Sequence, residues 1–191
     1  MPILERNGQL RPAAKALLHA VSRVPMDLLD TCRVLPRKRN WLSFPWYSAR
    51  SGGGAFVLGR HIYVSGNLLG IDRGSQQRLL FLLAHEVGHL PHAAGFKFTA
   101  LGRTRFVIWS ALHYAGSYLR HGRSGYRKAR IEQEAERGRW VLEQLFKVRP
   151  AEPAIQELFD LVLDGNQQEV AERIVLLSST LQRLHVAYPG W

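Results

Sequence analysis

The sequence predicts an α+β fold that is mostly helical, with a small β-sheet or hairpin packed against one central helix. Apolar residues recur at helical spacing through most of the chain, and only one region, after residue 54, has the β-branched and aromatic content of strands. With 191 residues and 46% hydrophobic content, the chain is long enough for one sizeable core. We therefore expect a single domain over 1–191, with a helical N-terminal segment 1–50, a core 54–148 and a helical C-terminal segment 150–188.

Two helices are predicted before the strands. Pro12 to Val21 opens with a proline suited to a first helical turn, and a shorter helix is predicted over Met26 to Val34. Pro36 and the basic residues after it break this pattern. The stretch Trp41 to Trp46 is aromatic and interrupted by proline, and Ser51 to Gly54 is predicted to be a flexible loop.

Two short runs, Ala55 to Leu58 and His61 to Val64, are separated by a Gly-Arg pair. Their composition and tight spacing predict a hairpin or adjacent strands. A loop follows over Asn67 to Gly74, and Asp72 or Ser75 is expected to cap the next helix, because both side chains can accept a hydrogen bond from a backbone N–H.

The next helix, Leu79 to Leu90, is predicted to be the central one. Its first half is apolar nearly all round, which is typical of a helix buried on two sides. Gly88 lies in mid-helix, where glycine costs about 1 kcal/mol relative to alanine. We therefore expect another backbone or a substrate to approach closely there. Pro91 is predicted to end the helix.

The rest of the chain is predicted to be helical. Glycine-containing breaks are expected at His121 to Gly125 and at Asp164 to Asn166, and Pro150 is expected to close one of the helices. The predicted helices are Phe106 to Arg120, Arg127 to Val148, Pro153 to Leu163 and Gln167 to Val186.

The central helix contains His85-Glu86-Val87-Gly88-His89, an H-E-x-x-H motif. Residues i and i+4 share one helix face, so His85 and His89 can present their imidazoles to one metal ion. Glu86 lies about 100° further round, where its carboxylate can reach a water on that metal. This spacing predicts a zinc site with an adjacent general base.

A catalytic zinc generally takes three protein ligands and keeps one position for water. In a metzincin, glycine and then histidine follow the motif at fixed offsets, but here those offsets hold His92 and Gly95 in the reverse order. A metzincin is therefore disfavoured. The candidates for the third ligand are His92, His113, His121, Glu132, Glu134 and Glu136.

Glu132 is the favoured candidate among these. Glu132 and Glu136 are four residues apart on one helix face, and Ala135 leaves room for a close helix crossing. This arrangement suits one carboxylate on zinc and a second that accepts a hydrogen bond from a ligating histidine. Glu134, Glu136 and the histidines remain alternatives for the ligand.

Phe81 to His89, together with Glu132 to Glu136, resembles the gluzincin pattern of H-E-x-x-H followed by E-x-x-A-[D/N]. The chain is similar to ImmA/IrrE-type bacterial peptidases, to the zincin toxin domains of type VI secretion spike proteins and, more loosely, to M48 peptidases. The resemblance covers Gly54 to Phe146, and Glu136 stands where the family usually has Asp or Asn. It implies a zincin-like fold and one Zn²⁺ per chain, held by His85, His89 and Glu132.

The resemblance predicts a zinc-dependent endopeptidase in which Glu86 assists the attack of zinc-bound water on a peptide bond. A strand edge beside the metal helix is expected to receive the substrate by strand addition. The reaction also needs a donor for the developing oxyanion. The candidates for this donor are Tyr114, Tyr118, His121 and Tyr126.

We expect this activity to be that of an antibacterial effector toxin of a secretion system. One alternative is an intracellular regulatory protease of the ImmA/IrrE type. Another is a non-catalytic basic module that binds zinc and nucleic acid. Structural zinc sites usually have four protein ligands and no spare base, so Glu86 argues against that module.

The formal net charge of +11 arises mainly from arginine clusters, which favour an anionic surface as partner. No known nucleic-acid-binding signature accompanies them. The expected partners are a protein or peptide substrate and an immunity protein or secretion-spike component. The chain has neither a signal peptide nor a run of about 20 apolar residues, so we expect synthesis in the cytoplasm, specialised secretion and action in a target-cell periplasm. Cys32, the single cysteine, excludes an internal disulfide.

Overall fold

The computed structural model describes residues 3–37, 54–148 and 153–190. Helices dominate this part of the chain, and a small sheet lies near its N-terminal end, so the α+β class predicted from the sequence is confirmed. The strands are β1 (Arg33–Pro36), β2 (Ala55–Leu58) and β3 (His61–Val64). The helices are α1 (Pro12–Ser22), α2 (Met26–Thr31), α3 (Arg73–Glu86), α4 (Leu90–Ala94), α5 (Ala100–His121), α6 (Gly125–Lys128), α7 (Arg130–Val148), α8 (Pro153–Asp164), α9 (Gln167–Leu176) and α10 (Ser178–Ala187).

The three strands form one sheet in the order β1-β3-β2. β2 and β3 are antiparallel, with Ala55 opposite Val64 and Leu58 opposite His61, so the predicted hairpin is confirmed. Gly59 takes a positive φ of 63° in the two-residue turn, a conformation that glycine adopts without steric cost.

β1 corrects the prediction of a helix over Met26 to Val34. The helix α2 ends at Thr31, and Val34 belongs to a strand that pairs in parallel with β3. A parallel strand needs a partner far along the chain, which the local sequence does not reveal. The predicted features at Trp41 to Trp46, at Ser51 to Gly53 and at Pro150 lie outside the described residues.

The helix boundaries differ from the predicted ones at several points. Asp72 caps α3, and its carboxylate accepts a hydrogen bond from the backbone N–H of Ser75 at 2.9 Å, as predicted. The prediction that Pro91 ends the helical path is wrong, because Pro91 lies in the first turn of α4, where its missing N–H costs nothing. A 3₁₀ turn, Val87–His89, connects α3 to α4.

Two predicted long helices are divided in the structure. The predicted helix Arg127 to Val148 is interrupted at Ala129, which adopts an extended conformation between α6 and α7. The predicted helix Gln167 to Val186 is interrupted at Leu177, between α9 and α10. In contrast, α5 is longer than predicted, because Thr99 caps it and accepts a hydrogen bond from the Gly102 N–H.

The central helix α3 packs closely against α7. A Cβ atom on Gly88 would lie only 2.5 Å from the Cα of Ala135, so the predicted close approach of another backbone at Gly88 is confirmed. A second contact lies further along the crossing, where a Cβ on Gly138 would lie 2.3 Å from the carbonyl oxygen of Ala84. These two small-residue contacts hold the H-E-x-x-H segment against the helix that carries the acidic cluster.

The described residues form a large core cluster and a small one. The large cluster includes the apolar residues of α1, α3 and α7. The small cluster contains Ala93, Phe106, Ala129 and Ile131, and it anchors α5 beside α7. None of the described helices has the length and apolar character that crossing a membrane would require.

Candidate metal centre

His85, His89 and Glu132 converge between α3 and α7. Each residue offers one potential ligand atom, and these atoms all lie within 4.8 Å of one another. Glu132 is 5% exposed and His89 is 7% exposed, so these two residues lie inside the protein rather than on its surface. The helix crossing at Gly88 and Ala135 brings the histidine pair next to an acid that is more than 40 residues away in sequence.

Both imidazoles lie close to the Glu132 carboxylate. The Nε2 atom of His85 lies 3.5 Å from Glu132 Oε2, and the Nε2 atom of His89 lies 3.7 Å from Glu132 Oε1. Zinc–ligand bonds of about 2.0–2.1 Å at tetrahedral angles separate neighbouring ligand atoms by about 3.3 Å. Each histidine-to-carboxylate distance is near that value, although the two are measured to different oxygens of Glu132, and the group could hold one metal ion. Two imidazoles and a carboxylate suit Zn²⁺, although they are not specific to it.

Glu136 holds His85 from the side remote from Glu132. Its Oε2 lies 2.8 Å from the Nδ1 of His85, which places the proton on Nδ1 when the ring is neutral and leaves Nε2 as the donor atom for a metal. Arg139 in turn donates from Nε to Glu136 Oε1 at 2.9 Å and contacts the same oxygen through a terminal nitrogen. The sequence-predicted pairing of one ligand acid with one supporting acid thus corresponds to the positions of Glu132 and Glu136.

Tyr114 supports the other carboxylate. Its hydroxyl donates a hydrogen bond to Glu132 Oε1, and its ring stacks on that of Tyr126, with 5.4 Å between the ring centroids. In the structure, therefore, Tyr114 contacts the proposed ligand Glu132, whereas the sequence analysis considered it only as a donor to the oxyanion. The hydroxyl restrains one oxygen of the carboxylate and so limits its rotation.

The charges at this site are strongly coupled. Burial lowers the pKa of His85, but hydrogen bonds with Glu132 and Glu136 outweigh burial and raise that pKa to about 10. Burial lowers the pKa of His89 to about 4. Burial raises the pKa of Glu132, whereas its contacts with the two histidines and Tyr114 lower it, and the result is about 2. Without metal, the site therefore holds a carboxylate beside one charged and one neutral imidazole.

Glu86 lies beside this group but is not a member of it. Its side chain is 5% exposed, and within the described chain no side chain donates a hydrogen bond to its carboxylate. Burial raises the pKa of Glu86 to about 7, although the positive charges of His85 and Arg139 oppose this rise. A carboxylate with a pKa near neutrality can both accept and return a proton at physiological pH.

Apart from Glu136, which contacts His85 through Nδ1, the other candidates for the third ligand lie elsewhere. His92 faces Glu134, with 3.0 Å between Nε2 and Oε2, and its ring also packs against Trp109. His113 packs against the same tryptophan, with 4.0 Å between the ring centroids. His121 is exposed at the end of α5. The structure does not bring any of these side chains to the His85 and His89 pair.

Two features of the site were not predicted from the sequence. Arg139 follows Glu136 by three residues, and this spacing on a helix is a recognisable signal for an ion pair. The contact between Tyr114 and Glu132 has no such signal, because it joins α5 to α7 across a change of chain direction.

Comparisons of the chain with protein-family models, with curated proteins and with solved structures gave no match. A function can therefore be inferred only from the residues of the site itself.

Proposed function

We propose that this protein is a zinc-dependent endopeptidase with a zincin-like catalytic core. The observation that carries the proposal is the convergence of His85, His89 and Glu132, whose ligand atoms lie within 4.8 Å of one another, with the buried Glu86 beside them and outside the ligand group. A structural zinc site usually takes four protein ligands. Among the residues that the structure describes, this group has three members, which leaves one coordination position for water or substrate.

Each residue has a defined task in this reaction. Zinc, when bound, would supply a Lewis acid that activates water and polarises the scissile carbonyl. Glu86 accepts the proton of the attacking water on its carboxylate and transfers it to the leaving amine. Glu136 keeps His85 oriented through Nδ1, and Tyr114 restrains Glu132, so the donor atoms need little rearrangement before the reaction.

The position of β2 supports a peptide as the substrate. Among the described strands, β2 lies at one end of the sheet order and packs against α3 and α4, and its first residue, Ala55, already has a further partner. An extended peptide that adds along Phe56 to Leu58 would be held by main-chain hydrogen bonds, largely independently of its side chains. This mode of binding suits an endopeptidase that acts on an unfolded segment or a loop.

Substitutions at two acids test the proposed chemistry. Glu86→Ala is expected to retain about one zinc per chain and to lose proteolysis of an unfolded protein substrate, because the base is removed and the ligands remain. Glu132→Ala is expected to lose zinc. Glu134→Ala is the matched control on α7, since Glu134 pairs with Arg130 and His92 and is not in the ligand group. Full proteolysis by Glu86→Ala would contradict the proposed mechanism.

We further propose that the peptidase is a bacterial secretion-system effector toxin, with an intracellular regulatory protease as the alternative role. Expression with and without a periplasmic export signal separates these roles, and Glu86→Ala serves as the inactive control. Toxicity that appears only after export, and only with Glu86 present, would support the effector. Toxicity or specific cleavage confined to the cytoplasm would instead support the regulatory protease.

A further inference from the structure

A long segment beside the metal centre carries charge of only one sign. Between Val87 and Ile131, which is 45 residues, the sequence contains no Asp or Glu. The same segment contains eight basic residues, a large share of the net charge of +11. These residues are Lys97, Arg103, Arg105, Arg120, Arg123, Arg127, Lys128 and Arg130. This segment comprises α4, α5 and α6, so an anionic partner would be attracted to one side of the molecule.

The same segment carries an exposed apolar stripe on α5, which we define as Leu101, Ile108, Leu112, Ala115 and Leu119. All five side chains are exposed; Leu112 is 67% exposed and Leu119 is 91% exposed. The spacing of 7, 4, 3 and 4 residues places them on one face of the helix. The stripe extends for 18 residues, or about 27 Å at the rise of an α-helix. Val107, Tyr118 and Tyr126 add further exposed apolar surface near it.

The opposite side of α5 attaches the helix to the protein. Gly102 and Phe106 are the residues of α5 that are fully buried, and Tyr114 contacts Glu132. Tyr114 is two residues beyond Leu112, which is about 200° around the helix. The apolar stripe therefore faces away from the metal centre, and the helix separates that centre from whatever the stripe contacts.

The helix carries both apolar and cationic groups. This combination suits a partner whose surface has anionic groups with an apolar layer beneath them. Nucleic acid offers phosphates, but contact with it would bury little of the apolar surface of a leucine stripe about 27 Å long. A helix that lies in the plane of a membrane interface buries such a stripe among acyl chains while Arg and Lys side chains reach the phosphates of the headgroups. Five exposed basic residues at positions 105, 120, 123, 127 and 128 have no ion pair with any described residue, so their charges are available to lipid phosphates.

We propose that α5 is an interfacial helix that docks this protein on the surface of an anionic lipid bilayer. Docking would hold the metal centre close to the membrane, on the protein side of α5. This inference goes beyond the proposed peptidase activity and does not depend on it, because none of the stripe residues belongs to the ligand group.

Flotation with lipid vesicles tests the proposal on the full-length protein. The vesicles contain phosphatidylcholine with 30% phosphatidylglycerol, or phosphatidylcholine alone. Leu112→Gln combined with Leu119→Gln removes much of the stripe, and both side chains are exposed, so the fold is expected to persist. The matched control is Val175→Gln combined with Leu176→Gln, two residues of α9 that are each 70% exposed.

The charge is tested by Arg120→Gln combined with Arg123→Gln. Two basic residues near an anionic surface contribute about 1 kcal/mol each, so their loss is expected to weaken binding about 30-fold. The matched control for charge is Arg6→Gln combined with Arg183→Gln, which lie outside the segment. Circular dichroism verifies that every variant is folded.

The proposal expects binding to the anionic vesicles, at least tenfold weaker binding of the stripe variant, and unchanged binding of both control variants. Three results would overturn it: no binding to anionic vesicles, equal binding to vesicles of phosphatidylcholine alone, or full binding by the stripe variant. The last result would mean electrostatic adsorption without an interfacial helix. Glu86→Ala, which removes the proposed base and leaves the Tyr114–Glu132 contact of α5 intact, is expected to bind vesicles normally, so a failure of the peptidase proposal remains distinguishable from a failure of this one.

Discussion

Gly88→Ala should disturb the metal centre through the helix crossing and without changing a ligand. The added Cβ would lie 2.5 Å from the Cα of Ala135, 3.0 Å from its carbonyl oxygen and 3.1 Å from its Cβ. Carbon atoms pack best at about 3.5–4.0 Å, so the crossing of α3 and α7 must open by about 1 Å. Backbone atoms cannot move aside as a flexible side chain does.

Two opposing effects set the expected change in the free energy of unfolding. Overpacking of this kind costs about 1–3 kcal/mol, and replacement of glycine in a helix returns at most about 1 kcal/mol. The free energy of unfolding should therefore fall by about 1–2 kcal/mol, which corresponds to a Tm decrease of about 2–8 °C for a chain of this length. The opening also exceeds the tolerance of about 0.2 Å for metal–ligand distances, so zinc affinity should fall at least tenfold.

Thermal unfolding in the presence of EDTA and zinc titration by calorimetry measure the two effects separately. Gly116→Ala is the matched control, because no heavy atom lies within 4 Å of the Cβ that it adds to α5. It should stabilise the protein by about 0.5–1 kcal/mol and leave zinc affinity unchanged. Should Gly88→Ala prove as stable as Gly116→Ala and bind zinc equally well, the crossing does not set the geometry of the site.

Four further predictions concern the proposed ligands and their neighbours. The pKa of His85 is about 10 without metal, so zinc binding at pH 7 should release about one proton from its ring. The apparent zinc affinity should therefore rise about tenfold per pH unit below pH 10. Calorimetry in buffers of different ionisation enthalpy measures the proton release. The same raised pKa means that the protonated ring stabilises the metal-free fold fully below pH 6.5 and that this contribution is lost as the pH rises to about 10, which urea unfolding across that range should show. Glu136→Ala should weaken zinc binding by about 10- to 100-fold, and an unchanged affinity would remove its supporting role. Tyr114→Phe should lower the free energy of unfolding by about 1 kcal/mol, because Glu132 loses a buried hydrogen bond; equal urea midpoints would contradict this.

Local spacing in the sequence accounts for much of the fold and part of the site. The hairpin follows from two short runs around a glycine turn, and the cap of α3 follows from Asp72 three residues before Ser75. The pairing of His85 with His89 on one face is likewise a property of helical spacing, and the need for a small residue at Gly88 follows from its cost in a helix. Each of these features depends on residues within a few positions of one another, where backbone geometry alone relates them.

Features that join distant segments were decided only by the tertiary structure. The strand β1 pairs in parallel with β3, a partner far along the chain that the local sequence does not reveal. The choice of Glu132 over the other acids and histidines depends on how α7 crosses α3, and the contact of Tyr114 with Glu132 depends on the path of α5.

Apolar residues at helical spacing show that α5 is an amphipathic helix, but they do not show which of its faces is covered. In the structure, Phe106 is buried and Leu112 is exposed, although both are apolar residues of the same helix. By itself, therefore, the sequence determined most of the helical regions, the hairpin and the spacing of the two histidines, since these depend on nearby residues. Packing between distant segments decided which acid lies beside the two histidines and which apolar surface of α5 is exposed.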